Sequence, residues 1–315
     1  MNYKLLYLKK NIIIIIILLL FSIAAPFSAS AQTDIEYYLK AIDLYNKEKL
    51  DSSLIYINKA IKINNNYLQA IETRGFLFFK KNQFSKAIDD YTYILKRDSL
   101  NSGNLTNRGI CFLKKGELLF AITDFENSIL IDSTNANTYF NRGLAYDQIE
   151  EYDLAIADYL KATKINPIHL DAIYNLGVVY DKIEKLGLSI RAYTTVITID
   201  STYFPARYNR AYDLDELGLL EEAIADYNIV LKYDTKNPDA YFNRGLAFYD
   251  LKNYNNAIAD FTKAIELDNQ SIDAVFNRAN AYFAIKMNDE GCLDLLTAIK
   301  YKIPQAKDLY KLKCK

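Results

Sequence analysis

At 315 residues, with 51% hydrophobic and 24% charged side chains and only 10 Gly and 5 Pro, the chain can bury a large core, which excludes a disordered or collagen-like polymer. Its 38 basic and 39 acidic residues leave no cationic excess, which argues against a nucleic-acid partner. Three cysteines and one histidine offer no zinc-ligand spacing, so no metal is expected.

The first predicted element is a leader. Lys4, Lys9 and Lys10 precede an apolar run from Ile12 to Ala25, and Ala29-Ser30-Ala31 follows, the three-part pattern of a signal peptide over 1–31 cut after Ala31. The run is shorter than the roughly 20 apolar residues of a spanning helix, so a retained inner-membrane anchor is the lesser alternative. Export to the periplasm or beyond is expected either way. Cleavage would leave a soluble chain with no stable membrane insertion, its basic residues reduced from 38 to 35 against 39 acids.

From Asp34 the chain repeats itself every 34 residues. "YFNRGLAY" (139–146) returns as "YFNRGLAF" (241–248), and "IETRGFLF", "LTNRGICF", "IYNLGVVY", "RYNRAYDL" and "VFNRANAY" fall on the same step. Eight units over 34–305 are expected, starting at Asp34, Leu68, Ser102, Ala136, Leu170, Phe204, Pro238 and Ile272, each reading as two helices and a turn. Place 8 holds Ala41, Gly75, Gly109, Gly143, Gly177, Ala211, Gly245 and Ala279; place 20 holds only Ala, Ser and Gly. Gly inside a helix costs about 1 kcal/mol relative to Ala, so its recurrence predicts two helix backbones in close approach. Large aromatics at place 11 (Phe78, Phe112, Tyr146, Tyr180, Phe248) and place 24 (Tyr91, Phe125, Tyr159, Tyr193, Tyr227, Phe261) are expected in the core.

This pattern resembles the tetratricopeptide repeat, whose 34-residue signature has small residues at places 8 and 20 and aromatics at 11 and 24. The resemblance implies an all-α, right-handed α-solenoid, a superhelix of eight helix-turn-helix repeats. Departures are the lack of Trp at place 4 and of Pro at place 32, where only Pro167 stands; Ser99, Ser133, Ser201, Thr235 and Asn269 are expected to cap the following helices instead. After Ile303-Pro304, residues 306–315 read as a C-terminal capping helix with Leu309 and Leu312 on its apolar side.

Place 7, usually Leu in the family, holds Arg74, Arg108, Arg142, Arg210, Arg244 and Arg278, and place 23 holds Asp90, Asp124, Asp158, Asp226, Asp260 and Asp294. Units 1 and 5 lack both partners, with Lys40 and Tyr56, Leu176 and Ala192. Variation in step within one chain predicts contact, one structural ion pair per unit.

In the family the first helices line the concave face, and ligands rest against places 2, 5, 6, 9, 12 and 13. Place 6 reads Asn107, Asn141, Asn175, Asn209, Asn243 and Asn277; place 5 adds Phe140, Tyr174, Tyr208, Phe242 and Phe276; Asp171, Asp239, Asp181 and Asp215 make the face acidic. Carboxamides both donate and accept, as a peptide backbone demands. The family's carboxylate clamp, with Lys at 2 and 5 and Arg at 6, is missing, so the expected partner is a protein or peptide with a basic or neutral segment. A cell-envelope glycan stacked on the aromatic column is the alternative. No catalytic residue and no cofactor is expected: His169 sits at a unit junction and no phosphate loop interrupts the register. An antiparallel cap would return Cys314 towards Cys292, predicting a disulfide, with Cys111 a buried free thiol.

Overall fold

The structure, a computed structural model, describes residues 29–314, and among them it contains seventeen helices and no strand. The predicted leader lies outside the described residues except for its last three. Among the described residues no helix is long and apolar enough to cross a membrane.

The chain divides into two compact units, one ending at Ile131 and the other beginning at Asp132. The first holds α1 (Ala29–Asn46), α2 (Leu50–Ile63), α3 (Leu68–Lys80), α4 (Phe84–Leu95), α5 (Ser102–Lys114) and α6 (Leu118–Ile131). The second holds α7 (Ala136–Gln148), α8 (Tyr152–Ile165), α9 (Leu170–Lys182), α10 (Leu186–Ile199), α11 (Phe204–Glu216), α12 (Leu220–Tyr233), α13 (Pro238–Asp250), α14 (Tyr254–Leu267), α15 (Ile272–Ala284), α16 (Asn288–Lys300) and α17 (Ala306–Lys313). Within each unit every helix packs on its successor, and α13 also touches α11 and α15. Each unit is thus a stack of antiparallel helix pairs, an all-α solenoid architecture.

Two kinds of turn set the period. Within each pair, place 15 takes a left-handed conformation at Glu48, Asn82, Gly116, Glu150, Glu184, Gly218, Lys252 and Lys286. This lets the next amide return to the helix just ended, as Lys185 N does to Tyr180 O at 2.8 Å and Asn253 N to Phe248 O at 2.8 Å. Between pairs, an Asp or Asn at place 31 folds the chain by accepting from the amide two residues on: Asp132 from Thr134 (2.9 Å), Asp200 from Thr202 (2.8 Å), Asp268 from Gln270 (3.0 Å).

Capping differs from expectation. The residues that cap the following helices are Asn101, Asn135, His169 and Asn237 at place 34, which accept from Asn104 N, Asn137 N, Ala172 N and Ala240 N. Ser99, Ser133, Ser201, Thr235 and Asn269 at place 32 cap nothing. A cap must immediately precede the helix for its side chain to reach the amides of the first turn, and place 32 lies two residues too early.

The core is built on place 24. Tyr91, Phe125, Tyr159, Tyr193, Tyr227 and Phe261 are buried almost completely. The small residue at place 8 makes room for this ring, and not for a neighbouring backbone as the sequence suggested. A Cβ added to Gly177 would lie 2.6 Å from the Tyr193 ring, and one on Gly143 would lie 2.7 Å from Tyr159. The place 11 aromatics are only half-buried, and arginines lie over some of them: the guanidinium carbon is 5.7 Å from the Tyr146 ring centre for Arg142 and 5.8 Å from Phe248 for Arg244.

At the C-terminus, α17 packs on the end of the stack. Ala306, Leu309, Tyr310 and Cys314 join a cluster with Leu295, Ala298 and Phe283. Leu312, expected on this side, is 71% exposed, since the i, i+3, i+4 stripe from Ala306 bypasses it. A disulfide joins Cys292 to Cys314, with the Cα atoms 5.7 Å apart, while Cys111 is free and buried, its thiol pushed up to about 12 by burial.

Candidate functional site: the first-helix face and its arginine ladder

Behind the first helices of both units runs a ladder of ion pairs. Arg74, Arg108, Arg142, Arg210, Arg244 and Arg278 each donate from Nε and Nη2 to both oxygens of Asp90, Asp124, Asp158, Asp226, Asp260 and Asp294, at 2.6–2.9 Å. The aspartates are buried and the arginines half-buried. Burial raises the Asp90 carboxyl above its usual range, against the pull of Arg74.

The third nitrogen does something the sequence reading missed. Nη1 reaches back to place 25 of the preceding repeat: Arg74 to Asn58 (3.1 Å), Arg108 to Thr92 (3.1 Å), Arg210 to Thr194 (3.0 Å), Arg244 to Asn228 (2.6 Å) and Arg278 to Thr262 (3.0 Å). One guanidinium therefore ties three helices across a repeat boundary. A signal was available, because the place 25 residue ahead of the Arg-less unit 5 is Leu160. A second omission is Arg207 of α11, buried, whose Nη1 also donates to Asp226 at 3.1 Å.

On the first-helix face of the second unit, the predicted columns are cross-linked. Asn209 Nδ2 donates to Tyr174 Oη (3.1 Å) and Tyr193 Oη (3.3 Å), and Asn243 Nδ2 donates to Tyr208 Oη (3.0 Å). Place 6 of one repeat thus holds place 5 of the previous one. Where place 5 is Phe there is no hydroxyl to hold, and the next asparagine turns to its own helix: Asn175, after Phe140, donates to Asp171 O (2.7 Å), and Asn277, after Phe242, to Asp273 O (2.9 Å). Asn141 likewise donates to Asn137 O (2.7 Å). The amide nitrogens of this row are in part already engaged, to a tyrosine or to their own helix.

The aromatic column is also partly spent on the core. Phe140, Tyr174, Tyr208 and Phe242 lie 5.8–6.0 Å from the rings of Tyr159, Tyr193, Tyr227 and Phe261, and Phe276 packs in the C-terminal cluster. His169 caps α9 through Nδ1, meets Asn137 Oδ1 through Nε2 at 3.1 Å and packs on Phe140. Of the predicted acids, Asp171 and Asp239 are exposed, and Asp181 and Asp215 half-buried. Burial, followed by Asp250 and Glu216, raises the Asp215 carboxyl to about 6.

In the first unit, Asn107 lines a cleft of about 470 Å³ with Tyr38, Tyr45, Gln69, Phe76 and Tyr91. That cleft uses the same repeat places as the face of the second unit, with different chemistry.

An all-α stack of paired helices in a fixed period, with a polar first-helix face and no interrupting loop, defines a repeat scaffold for protein interaction. Profiles of the tetratricopeptide repeat match residues 136–169, 238–271 and 170–203, and a further TPR repeat profile matches 214–252. The chain carries tetratricopeptide repeats over residues 136–203 and 214–271. No curated protein sequence matches it significantly. Among solved structures it is similar to MamA, with 28% identity over 54% of this chain and 92% of that one and a TM-score of 0.50. It is also similar to YrrB, described as a TPR protein with an unusual peptide-binding site, at 23% identity over 59% and 95% of the two chains and a TM-score of 0.55. A third is MamA 41-end from Desulfovibrio magneticus RS-1, at 17% identity over 56% and 99%, with a TM-score of 0.52.

Proposed function

We propose that the protein is a non-enzymatic scaffold, exported to the cell envelope, that binds a protein or an extended peptide along its first-helix face. The observation that carries this is the asparagine row: carboxamides one repeat apart, held in place by tyrosines or by their own helices, with their oxygens left to accept from backbone amides. Such a row holds an extended chain without reading its side chains. The aromatic column supports a peptide better than a stacked glycan, because its rings already pack, tilted or edge-on, against the place 24 core. Export rests on the pattern of residues 1–31.

The test is a peptide and glycan panel against the purified protein and its Asn175→Ala/Asn209→Ala/Asn243→Ala variant. Peptide binding that falls at least tenfold in the variant, with an unchanged far-ultraviolet spectrum, supports the reading. Undiminished binding removes the row from the site, and binding of glycans alone removes the peptide reading.

A further inference from the structure

In the second unit a place 5 ring packs on the place 24 ring of its own repeat, as Tyr174 does on Tyr193 at 5.8 Å and Phe242 on Phe261 at 5.9 Å. The second repeat keeps the place 24 ring, Tyr91 of α4, but its place 5 residue is Glu72 of α3, so this pair has lost a ring. The cleft of about 470 Å³ opens at this point. Tyr91 lines it together with Glu72 and Phe76 of α3, Tyr38 and Tyr45 of α1, and Asn107 of α5. Tyr45 and Phe76 meet edge-on at 5.5 Å and make an aromatic wall. The third repeat also lacks a place 5 ring, yet its Thr106 is tied to Ser128 at 2.8 Å and its place 24 ring, Phe125, carries no hydroxyl.

The fifth repeat shows what completes such a group. Asn209, at place 6 of the following repeat, donates to Tyr174 Oη at 3.1 Å and to Tyr193 Oη at 3.3 Å, so one carboxamide joins two phenols. At the cleft two of these three members are present: Tyr91 stands for Tyr193 and Asn107 for Asn209. Among the described residues neither the Tyr91 hydroxyl nor the Asn107 carboxamide makes a hydrogen bond, although the other asparagines of the row all do. Tyr91, at 2% exposed, is the one buried residue of the lining. Buried polar groups are nearly always answered, and here the missing answer has a known shape, because the chain itself supplies it three repeats further on.

Resting on the peptide-scaffold reading, we infer that this cleft is a subsite for a tyrosine side chain of the partner. The incoming ring takes against Tyr91 the place that Tyr174 has against Tyr193, beside the wall of Tyr45 and Phe76, where rings prefer tilted and edge-on contacts. Its hydroxyl accepts from the Asn107 amide, and the Glu72 carboxylate in the same lining offers an acceptor for the phenol proton. A phenylalanine fills the same space and leaves Asn107 unanswered. Leucine or glutamine lacks the ring that the pair with Tyr91 requires.

Capped glycine–glutamine peptides with one central tyrosine, phenylalanine or glutamine, labelled for fluorescence anisotropy, test this on the purified protein. The tyrosine peptide is expected to bind about tenfold tighter than the glutamine peptide, from burial of one ring. It should bind about fivefold tighter than the phenylalanine peptide, the size of one neutral hydrogen bond. Glu72→Tyr gives the second repeat the ring that the fifth already has, and should erase the tyrosine margin over glutamine. Asn107→Ala should bring the tyrosine peptide down to the phenylalanine peptide, a change that a general loosening of the fold would not single out; it decides alone should Glu72→Tyr not fold. Equal binding of the tyrosine and glutamine peptides, a margin that survives Glu72→Tyr, or a preference for tyrosine over phenylalanine that survives Asn107→Ala overturns the subsite. Glutamine-peptide binding lost in the triple asparagine variant keeps the groove when the subsite fails; absence of binding by any peptide removes both.

Discussion

Arg244 grips Asp260 with two N–H groups at 2.7 Å, and its remaining nitrogen reaches Asn228 of the previous repeat. The pair alone would stiffen one helix hairpin. The third contact makes it an interface between repeats, which is where a stacked array gains its cooperativity.

Removing the arginine strands a buried carboxylate. Arg244→Ala is expected to cost about 3 kcal/mol or more. The triple change Asn228→Leu/Arg244→Leu/Asp260→Ala copies the apolar set that this chain carries at Leu160, Leu176 and Ala192, and should recover most of the loss. Urea titrations of the single, double and triple variants measure it; strict additivity would remove the coupling.

Gly177 has no room for a methyl group beneath the Tyr193 ring. Gly177→Ala should destabilise by about 1–3 kcal/mol through overpacking, although alanine is the better helix former. Trimming the ring with Tyr193→Leu should make the same Gly177→Ala change neutral or favourable. A Gly177→Ala protein as stable as the parent would show that the ring moves aside freely.

Asp213 should make stability depend on pH. Its folded carboxyl, raised to about 7, holds a proton that the unfolded chain releases near pH 4, so its contribution is full below about pH 4 and is lost as pH rises to about 7. Asp213→Asn should flatten this fall and leave the protein more stable than the parent at pH 7.5. Melting temperatures of both proteins across pH 4–8 decide it, and parallel curves would count against a raised carboxyl. Asp181, Glu216 and the Tyr193 and Tyr212 hydroxyls surround the group in both proteins, so the difference curve isolates Asp213.

The Cys292–Cys314 bridge closes a 22-residue separation and should contribute roughly 3 kcal/mol on a loop-entropy estimate. Cys292→Ser should loosen α17 first, visible as faster amide exchange over residues 306–313. Unreduced protein, denatured and alkylated, should carry a single label on Cys111 by mass spectrometry; three labels would contradict the bridge.

The sequence by itself determined the period, the helical class and which columns vary together. Each repeat sees nearly the same surroundings as the next, so a constraint on one place is written eight times and its exceptions, such as Leu176 with Ala192, expose the partner. Only the tertiary structure decided what each column touches. The place 8 glycines meet a ring because the place 24 side chain crosses from the facing helix, and an arginine's third nitrogen finds Asn228 because the preceding repeat lies within its reach. Whether an asparagine holds a tyrosine or turns to its own helix depends on one hydroxyl 35 residues away, at Tyr174 and Tyr208 but not at Phe140 and Phe242. Asp213 was least legible, because a single aspartate in an acidic chain becomes unusual only when the fold closes over it.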